Sequence, residues 1–206
     1  MSPSLPPLFF TSPLPDFSSP KAELEQYCTP DSILANYSSY LGVLGPKRIL
    51  DLGCGTGRLG YLASCHGAKE VIGVDVDRKA LVQAKKWTSE NGLIGFTFVN
   101  SPVEFLPLNG MAGQVDGVVM NPPFGTRRQH IDFVFLQQAF QTKAWVLSLH
   151  KSNKASLRKL ERLAMTYSYE LTTTDVISFP LRPTLPSHTK PIYEVSVMLC
   201  LFQPKE

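Results

Sequence analysis

The sequence predicts an α/β fold: a mostly parallel seven-stranded sheet, Rossmann-like in its winding, that closes with a C-terminal antiparallel hairpin. Three observations lead there. From Lys47 onward, short apolar runs alternate with amphipathic segments, and such alternation implies parallel strands, right-handed crossovers and helices on both faces. A glycine-rich turn, DLGCGTG (51–57), joins the first apolar run to the segment after it. The last two runs, ELTTTDVISF and PIYEVSVMLCLF, are joined by a proline-rich loop and read as an antiparallel pair.

Residues 1–20 are rich in Pro and Ser without an apolar period, so they read as a mobile tail ahead of a domain spanning 21–206. Phe9 and Phe10 in that tail are expected to rest on a surface. DSILANYSSYL (31–41) is a short helix, with Thr29 as N-cap and Pro30 in the first turn. RILDL (48–52) is a buried strand that feeds the glycine turn and a helix over RLGYLASCH. EVIGVD (70–75) is the second strand, and the helix DRKALVQAKKWTSENG ends at a glycine cap. FTFVN (96–100), VDGVVMN (115–121) and AWVLSLH (144–150) are the third, fourth and fifth strands. IDFVFLQQAF is apolar at helical spacing, which places Phe133, Phe135 and Phe140 in a core, and SNKASLRKLERLAMTYS is a basic amphipathic helix.

With 206 residues, 43% hydrophobic and 18% charged, the chain fits one domain with an ordinary core, and wholesale disorder is excluded. A net charge of +3 suits nucleic acid and an ordinary enzyme equally well, so charge alone selects no partner. No stretch approaches the ~18 apolar residues of a membrane span. The start, MSPSLPPLFFTSPLP, lacks a basic region and is broken by prolines, so no signal peptide is read and cytoplasm, nucleus or both are expected. Cys28, Cys54, Cys65 and Cys200 form no C-x-x-C pair and have no histidines in a zinc-ligand pattern, so free thiols and no bound metal are expected.

The glycine turn is the first chemical signal. Gly53 and Gly55 lack the Cβ that would keep a ligand off the backbone, and Gly57 lets the next helix pack close to the strand. Asp75 ends the second strand, where a carboxylate accepts the hydroxyls of a ribose. The spacing is G-x-G-x-G rather than G-x-G-x-x-G, with Arg58 where a dinucleotide site has its third glycine. Asp51 can reach an amino group, whereas a dinucleotide places a pyrophosphate on the helix N-terminus. The pattern therefore favours S-adenosyl-L-methionine over NAD, and the closing antiparallel pair fits the class I methyltransferase arrangement.

Asn121-Pro122-Pro123-Phe124 follows the fourth strand, beside the first, where open α/β sheets bind ligands. An exocyclic aryl amine is a poor nucleophile because its lone pair is spread into the ring. The Asn121 side-chain oxygen and the Pro122 carbonyl can each accept one N–H and favour a pyramidal nitrogen. Two prolines stiffen the loop, so its carbonyl is preorganised. Phe124 offers a face on which a flipped base can stack. Glutamine side chains, guanine N2 and adenine N6 all suit such a peptide, and Phe in the fourth place leans toward a nucleobase.

The segments PKAELEQYCT (20–29), DLGCGTG, GVDVDRKAL (73–81), VDGVVMNPPFGT (115–126) and SLHKS (148–152) together resemble the archaeal and eukaryotic N6-adenine rRNA methyltransferases of the methyltransferase-like protein 5 type. The resemblance runs from about residue 17 to the C-terminus. It implies that Gln26 and Thr29 cover the cofactor from the N-terminal side. Asp51, Gly53, Thr56, Arg58 and Asp75 line its pocket, and Asn121 to Phe124 hold the target adenine. It further implies small-subunit ribosomal RNA as substrate and a small zinc-binding activator subunit as heterodimer partner. The family's acid after the third strand, which bonds the cofactor adenine, falls on Pro102, leaving Asn100 or Ser101 as acceptors. Arg127, Arg128 and Lys151, adjacent to the site, are expected to contact RNA, while Lys159 and Arg162 fit a solvated helix face. Two rival readings stay open: a protein glutamine-N5 methyltransferase, and a non-catalytic RNA-binding scaffold with weakened cofactor affinity.

Overall fold

Seven strands form one sheet. In chain order they are β1 (Arg48–Leu52), β2 (Glu70–Asp75), β3 (Phe96–Asn100), β4 (Gly117–Met120), β5 (Trp145–Lys151), β6 (Tyr169–Leu181) and β7 (Tyr193–Pro204). In space they lie β3-β2-β1-β4-β5-β7-β6. This is a computed structural model, and it describes residues 13–181 and 193–205. β1 to β5 pair in parallel, and β7 runs antiparallel between β5 and β6. The expected fold class and strand order of elements are both present.

Among the described residues, five α-helices accompany the sheet: α1 (Asp31–Leu44), α2 (Arg58–Cys65), α3 (Arg78–Glu90), α4 (Ile131–Gln141) and α5 (Lys154–Thr166). Strand side chains alternate between faces, and β1 shows it. Ile49 packs with Leu34 and Leu41 of α1 and Leu62 of α2, whereas Leu50 packs with Leu136 and Phe140 of α4 and Leu160 of α5. Being buried on both faces is why RILDL reads as an unbroken apolar run. Tyr61 of α2 stacks on Trp87 of α3 at 4.4 Å between ring centroids, closing the β2–β3 end. No helix among the described residues is long and apolar enough to cross a membrane.

β1 is flanked by β2 on one side and β4 on the other. The chain leaves β1 toward β2 and later returns to β4, so the carboxyl ends of β1 and β4 border the switch point, where a crevice opens. The glycine turn follows the first of these strands, and Asn121 follows the second.

One sequence expectation needs correction. Thr29 does not cap α1: Pro30 is the cap residue, its carbonyl accepting from Ile33 N and Leu34 N, both at 2.9 Å. The hydroxyl of Thr29 is used elsewhere, as described below. The described part of the 1–20 segment lies against the domain. Trp87 Nε1 donates to Pro13 O at 2.9 Å, Thr56 Oγ1 to Pro15 O at 3.0 Å, and Gln83 Nε2 to Asp16 O at 3.2 Å. A segment without an apolar period is thus held by its carbonyls, which proline leaves intact while stiffening the backbone. Phe9 and Phe10 lie outside the described residues, as do residues 182–192.

Candidate active site

The turn after β1 is shaped by its neighbour β2. Gly53 N and Cys54 N donate to Val74 O at 2.8 and 3.0 Å, which draws the turn across the end of β2. Gly55 N donates to Asp75 Oδ2 at 2.8 Å, and Asp77 N to Asp75 Oδ1 at 2.7 Å. Asp75 therefore organises the backbone on both sides of itself. Gly55 has φ +53°, and a Cβ there would lie 2.7 Å from the ring of Phe17. Only glycine tolerates that conformation and that contact together.

A cavity of about 390 Å³ opens beside the turn, within the range of small-molecule sites. Gly53, Gly55, Val74 and Asp75 form one side; Ser101, Pro102, Val103 and Phe135 another; Gln26, Tyr27, Asn121 and Pro123 a third. Phe17, Tyr27, Gly53, Gly55 and Asn121 also bound a smaller pocket of about 40 Å³, which adds Thr29, Asp51, Thr56 and Arg58. The predicted cofactor residues other than Gly57 thus line two adjoining spaces.

Their side chains are engaged in different ways. Asp51 is buried and accepts from Gly60 N at 2.9 Å. Burial pushes its carboxyl up to about 7, the Gly60 bond opposes this, and the charge of Asp75 adds to it. Burial also raises Asp75, against the pull of the two backbone N–H groups. Gln26 donates from Nε2 to Asp77 Oδ2 at 2.8 Å, and Lys21 Nζ bridges the same carboxylate at 2.8 Å. Thr56 is committed to Pro15, and Arg58 pairs with Asp31 of α1. Gly57 starts α2 at φ +89°, leaving room for the Tyr61 ring.

The Asn121 side is built from residues far apart in the chain. Tyr37 OH of α1 donates to Met120 O at 2.7 Å and holds the end of β4. Asn121 Nδ2 donates to Thr29 Oγ1 at 3.0 Å. Its oxygen, Oδ1, is buried and no described residue donates to it. A buried acceptor without a donor costs about 1–3 kcal/mol, so a donor supplied by a ligand is the natural complement. Tyr27 OH donates to Pro122 O at 3.3 Å.

Phe124 departs from expectation. It is only 6% exposed. Tyr27 stacks on it at 5.3 Å and 29°, and Phe179 meets it edge-on at 5.7 Å. Tyr27 lines the cavity, and Phe124 behind it does not. Sequence reading passed over Tyr27, although it stands in LEQYCT between Gln26 and Thr29. Its only mark was that position in a quoted motif, since the contact with Phe124 spans nearly a hundred residues.

The remaining predicted positions are spread around the rim. Arg127 and Arg128 are exposed, Arg127 N donating to Glu25 Oε1 at 2.7 Å and the Arg128 guanidinium pairing with Glu104. Arg128 lines the cavity as well, so its exposed side chain sits at the pocket mouth. Lys151 ends β5, partly exposed. Asn100 Nδ2 is bonded to Asp75 O and Val76 O, both at 3.0 Å, and does not line the cavity; Ser101 does. His150 is buried against Ser148, 2.9 Å from its hydroxyl.

The donor set discriminates between ligands. Two carboxylates, Asp51 buried and Asp75 half-buried, whose pKa values are raised favour a cation beside them and disfavour a pyrophosphate. An adenosyl sulfonium with an α-amino group carries two positive charges. Its ribose suits the carboxylate of Asp75, and its adenine suits the apolar wall of Val103 and Phe135. The residues present therefore fit S-adenosyl-L-methionine.

Residues 46–176 match the profile of the family described as Methyltransferase domain. The rRNA N(6)-adenosine-methyltransferase METTL5 of Danio rerio is 30% identical over 194 residues, covering 91% of this chain and 92% of the relative. The uncharacterized protein MJ0284 of Methanocaldococcus jannaschii is 36% identical over 140 residues, 64% of each chain. Among solved structures, PH1948 of Pyrococcus horikoshii, named as a candidate RNA methyltransferase, superposes with a TM-score of 0.84 at 30% identity, covering 94% of this chain and 93% of that one.

Proposed function

From the premise that this chain belongs to the rRNA N6-adenosine-methyltransferase family of methyltransferase domains, we propose that it methylates adenine N6 in small-subunit ribosomal RNA, using S-adenosyl-L-methionine. The observation that carries the reading is that Asn121, which lines the same cavity as the glycine turn and Asp75, has its buried Oδ1 without a donor among the described residues.

Gly53 and Gly55 let the cofactor lie on the backbone, Asp75 takes its ribose hydroxyls, and Asp51 faces its amino group. Ser101 is the acceptor available to its adenine, in place of an acid at Pro102. Bound there, S-adenosyl-L-methionine supplies an electrophilic methyl group. Asn121 Oδ1 accepts one N–H of the target amine and Pro122 O accepts the other, turning the nitrogen lone pair toward the cofactor. Thr29 holds the Asn121 amide so that Oδ1, not Nδ2, meets the amine. No strong base is needed, because the amine becomes acidic as the new bond forms, and in-line placement supplies most of the acceleration. Arg127 and Lys151 at the rim track the RNA backbone.

The zinc-binding activator subunit belongs to the same proposal. β3 is an edge strand with no outer neighbour among the described residues, and Phe96, Phe98 and Val99 on it are only partly covered. Ile94 beside it is 89% exposed. Open edges of this kind invite a partner.

The test is methyl transfer from labelled cofactor to purified small-subunit rRNA, with and without the co-expressed activator, followed by nucleoside analysis. N6-methyladenosine at one site supports the reading. No transfer in either form overturns it.

A further inference from the structure

We propose that Tyr27 is a placeholder for the acceptor ring: in the substrate-free protein it occupies the seat of the target base and must be displaced for a base to be seated. The inference rests on the proposed function for the identity of that base. Its geometry stands separately.

Two contacts define the seat on this side of the cavity, an aromatic face and a carbonyl acceptor. Tyr27 uses both. Its ring stacks on Phe124 at 5.3 Å and 29°, and its hydroxyl donates to Pro122 O at 3.3 Å. A target adenine would place its ring on Phe124 and an amine N–H on the same carbonyl. The edge of Phe179, 5.3 Å away at 78°, fixes the Tyr27 ring from the side. Asn121 Oδ1 remains without a donor because a phenol has one O–H and no second polar group to reach it. The mimicry is thus incomplete at one atom, the atom by which an amine surpasses a phenol.

This arrangement serves selection. Displacing Tyr27 breaks one hydrogen bond, the stack on Phe124 and the edge contact with Phe179, so only a planar ring that restores them, and satisfies Asn121 as well, gains on balance. An aliphatic amide restores the hydrogen bonds but not the stack. The substrate-free protein also keeps the apolar face of Phe124 covered. The binding-competent state is then a minor one, and acceptor affinity is reduced by its population.

Tyr27→Phe keeps the ring and removes the hydroxyl latch. The KM for small-subunit rRNA is expected to fall about 3- to 10-fold, the range of one net hydrogen bond, with kcat within about 2-fold. An unchanged KM, or a fall in kcat with KM unmoved, overturns the placeholder and makes Tyr27 a fixed wall or a chemical participant. A second measurement needs no turnover. With 3-fluorotyrosine at position 27, the 19F resonance of the cofactor-bound protein is followed as adenosine, and separately cytidine, is added to millimolar concentration. A shift with adenosine that exceeds the shift with cytidine is expected. No shift with adenosine, in protein that methylates RNA, refutes the idea. If adenosine shifts the resonance while RNA is not methylated, the seat stands and the RNA assignment falls.

Discussion

The two sides of the cavity are put together differently. On the glycine-turn side, Asp75 has one oxygen on Asp77 N, two residues on, and the other on Gly55 N, twenty residues back across one β–α–β unit, and Asp51 accepts from Gly60 nine residues on. On the Asn121 side, the supports come from 92 to 95 residues away: Thr29 on the amide, Tyr27 on the Pro122 carbonyl. The first side is local and closed upon itself. The second is assembled from distant chain and leaves one polar atom open. Where bonds are satisfied within the fold, the wall is a rigid receptor for a constant ligand; where one is withheld, the protein keeps a vacancy for the group it acts upon.

Breaking each side should therefore give different signatures. The largest effect is expected from Asn121→Ala, which removes the open acceptor. Turnover on rRNA should drop about 100-fold or more, the scale for losing one preorganised transition-state contact. Cofactor affinity by calorimetry should stay within about 3-fold. Full activity in this variant would sink the mechanism.

Asp75→Ala attacks the opposite wall. It strips acceptors from Gly55 N and Asp77 N and removes the ribose ligand, so cofactor Kd should rise by roughly 30-fold or more, from about 2 kcal/mol of charged hydrogen bonding. Here the loss should appear in binding first, and an unaltered Kd would contradict the assignment of that wall.

A smaller effect is predicted for Thr29→Val, which is nearly isosteric but cannot hold the Asn121 amide. We expect kcat about 10-fold lower with unchanged cofactor affinity, and recovery in Thr29→Ser, as for loss of one orienting hydrogen bond. If Thr29 instead covers the cofactor, Kd will move and kcat will not.

The smallest effect is in pH dependence. Asp51 is raised on folding from an ordinary 3.8 to about 7, chiefly by burial. An acid raised on folding holds its proton more tightly when folded, so its stabilisation is complete below the unfolded value and is lost as pH rises through the folded one. The ligand-free protein should lose a few degrees of Tm between pH 5 and 8, in line with about 1–2 kcal/mol. Saturating cofactor should flatten the slope, because its ammonium favours the carboxylate. A slope identical in Asp51→Asn would assign it to other groups.

The same contrast explains what could be read in the residues alone. RILDL and EVIGVD are strands because they are apolar on both faces, and the glycine turn lies between them by covalent necessity. Asp75 could be named for that reason. The NPPF position was equally legible, since the end of β4 must lie beside β1. The state of its members was not. Phe124 reads as an open platform, yet Tyr27 covers it; Thr29 reads as a helix cap, yet it holds Asn121.

The sequence by itself determined the order and type of the elements, the glycine turn with its two carboxylates, and the place of the Asn121 peptide. These follow from periodicity, from glycine's backbone freedom and from the short reach of the chain between adjacent elements. Tertiary structure alone decided which side chains are already spoken for: the 13–20 segment laid across α2 and α3, Tyr27 on Phe124, and the amide of Asn121 turned with its oxygen free. A hydrogen bond or a stacked ring across ninety residues depends on the packing of whole elements, and local sequence carries no record of it.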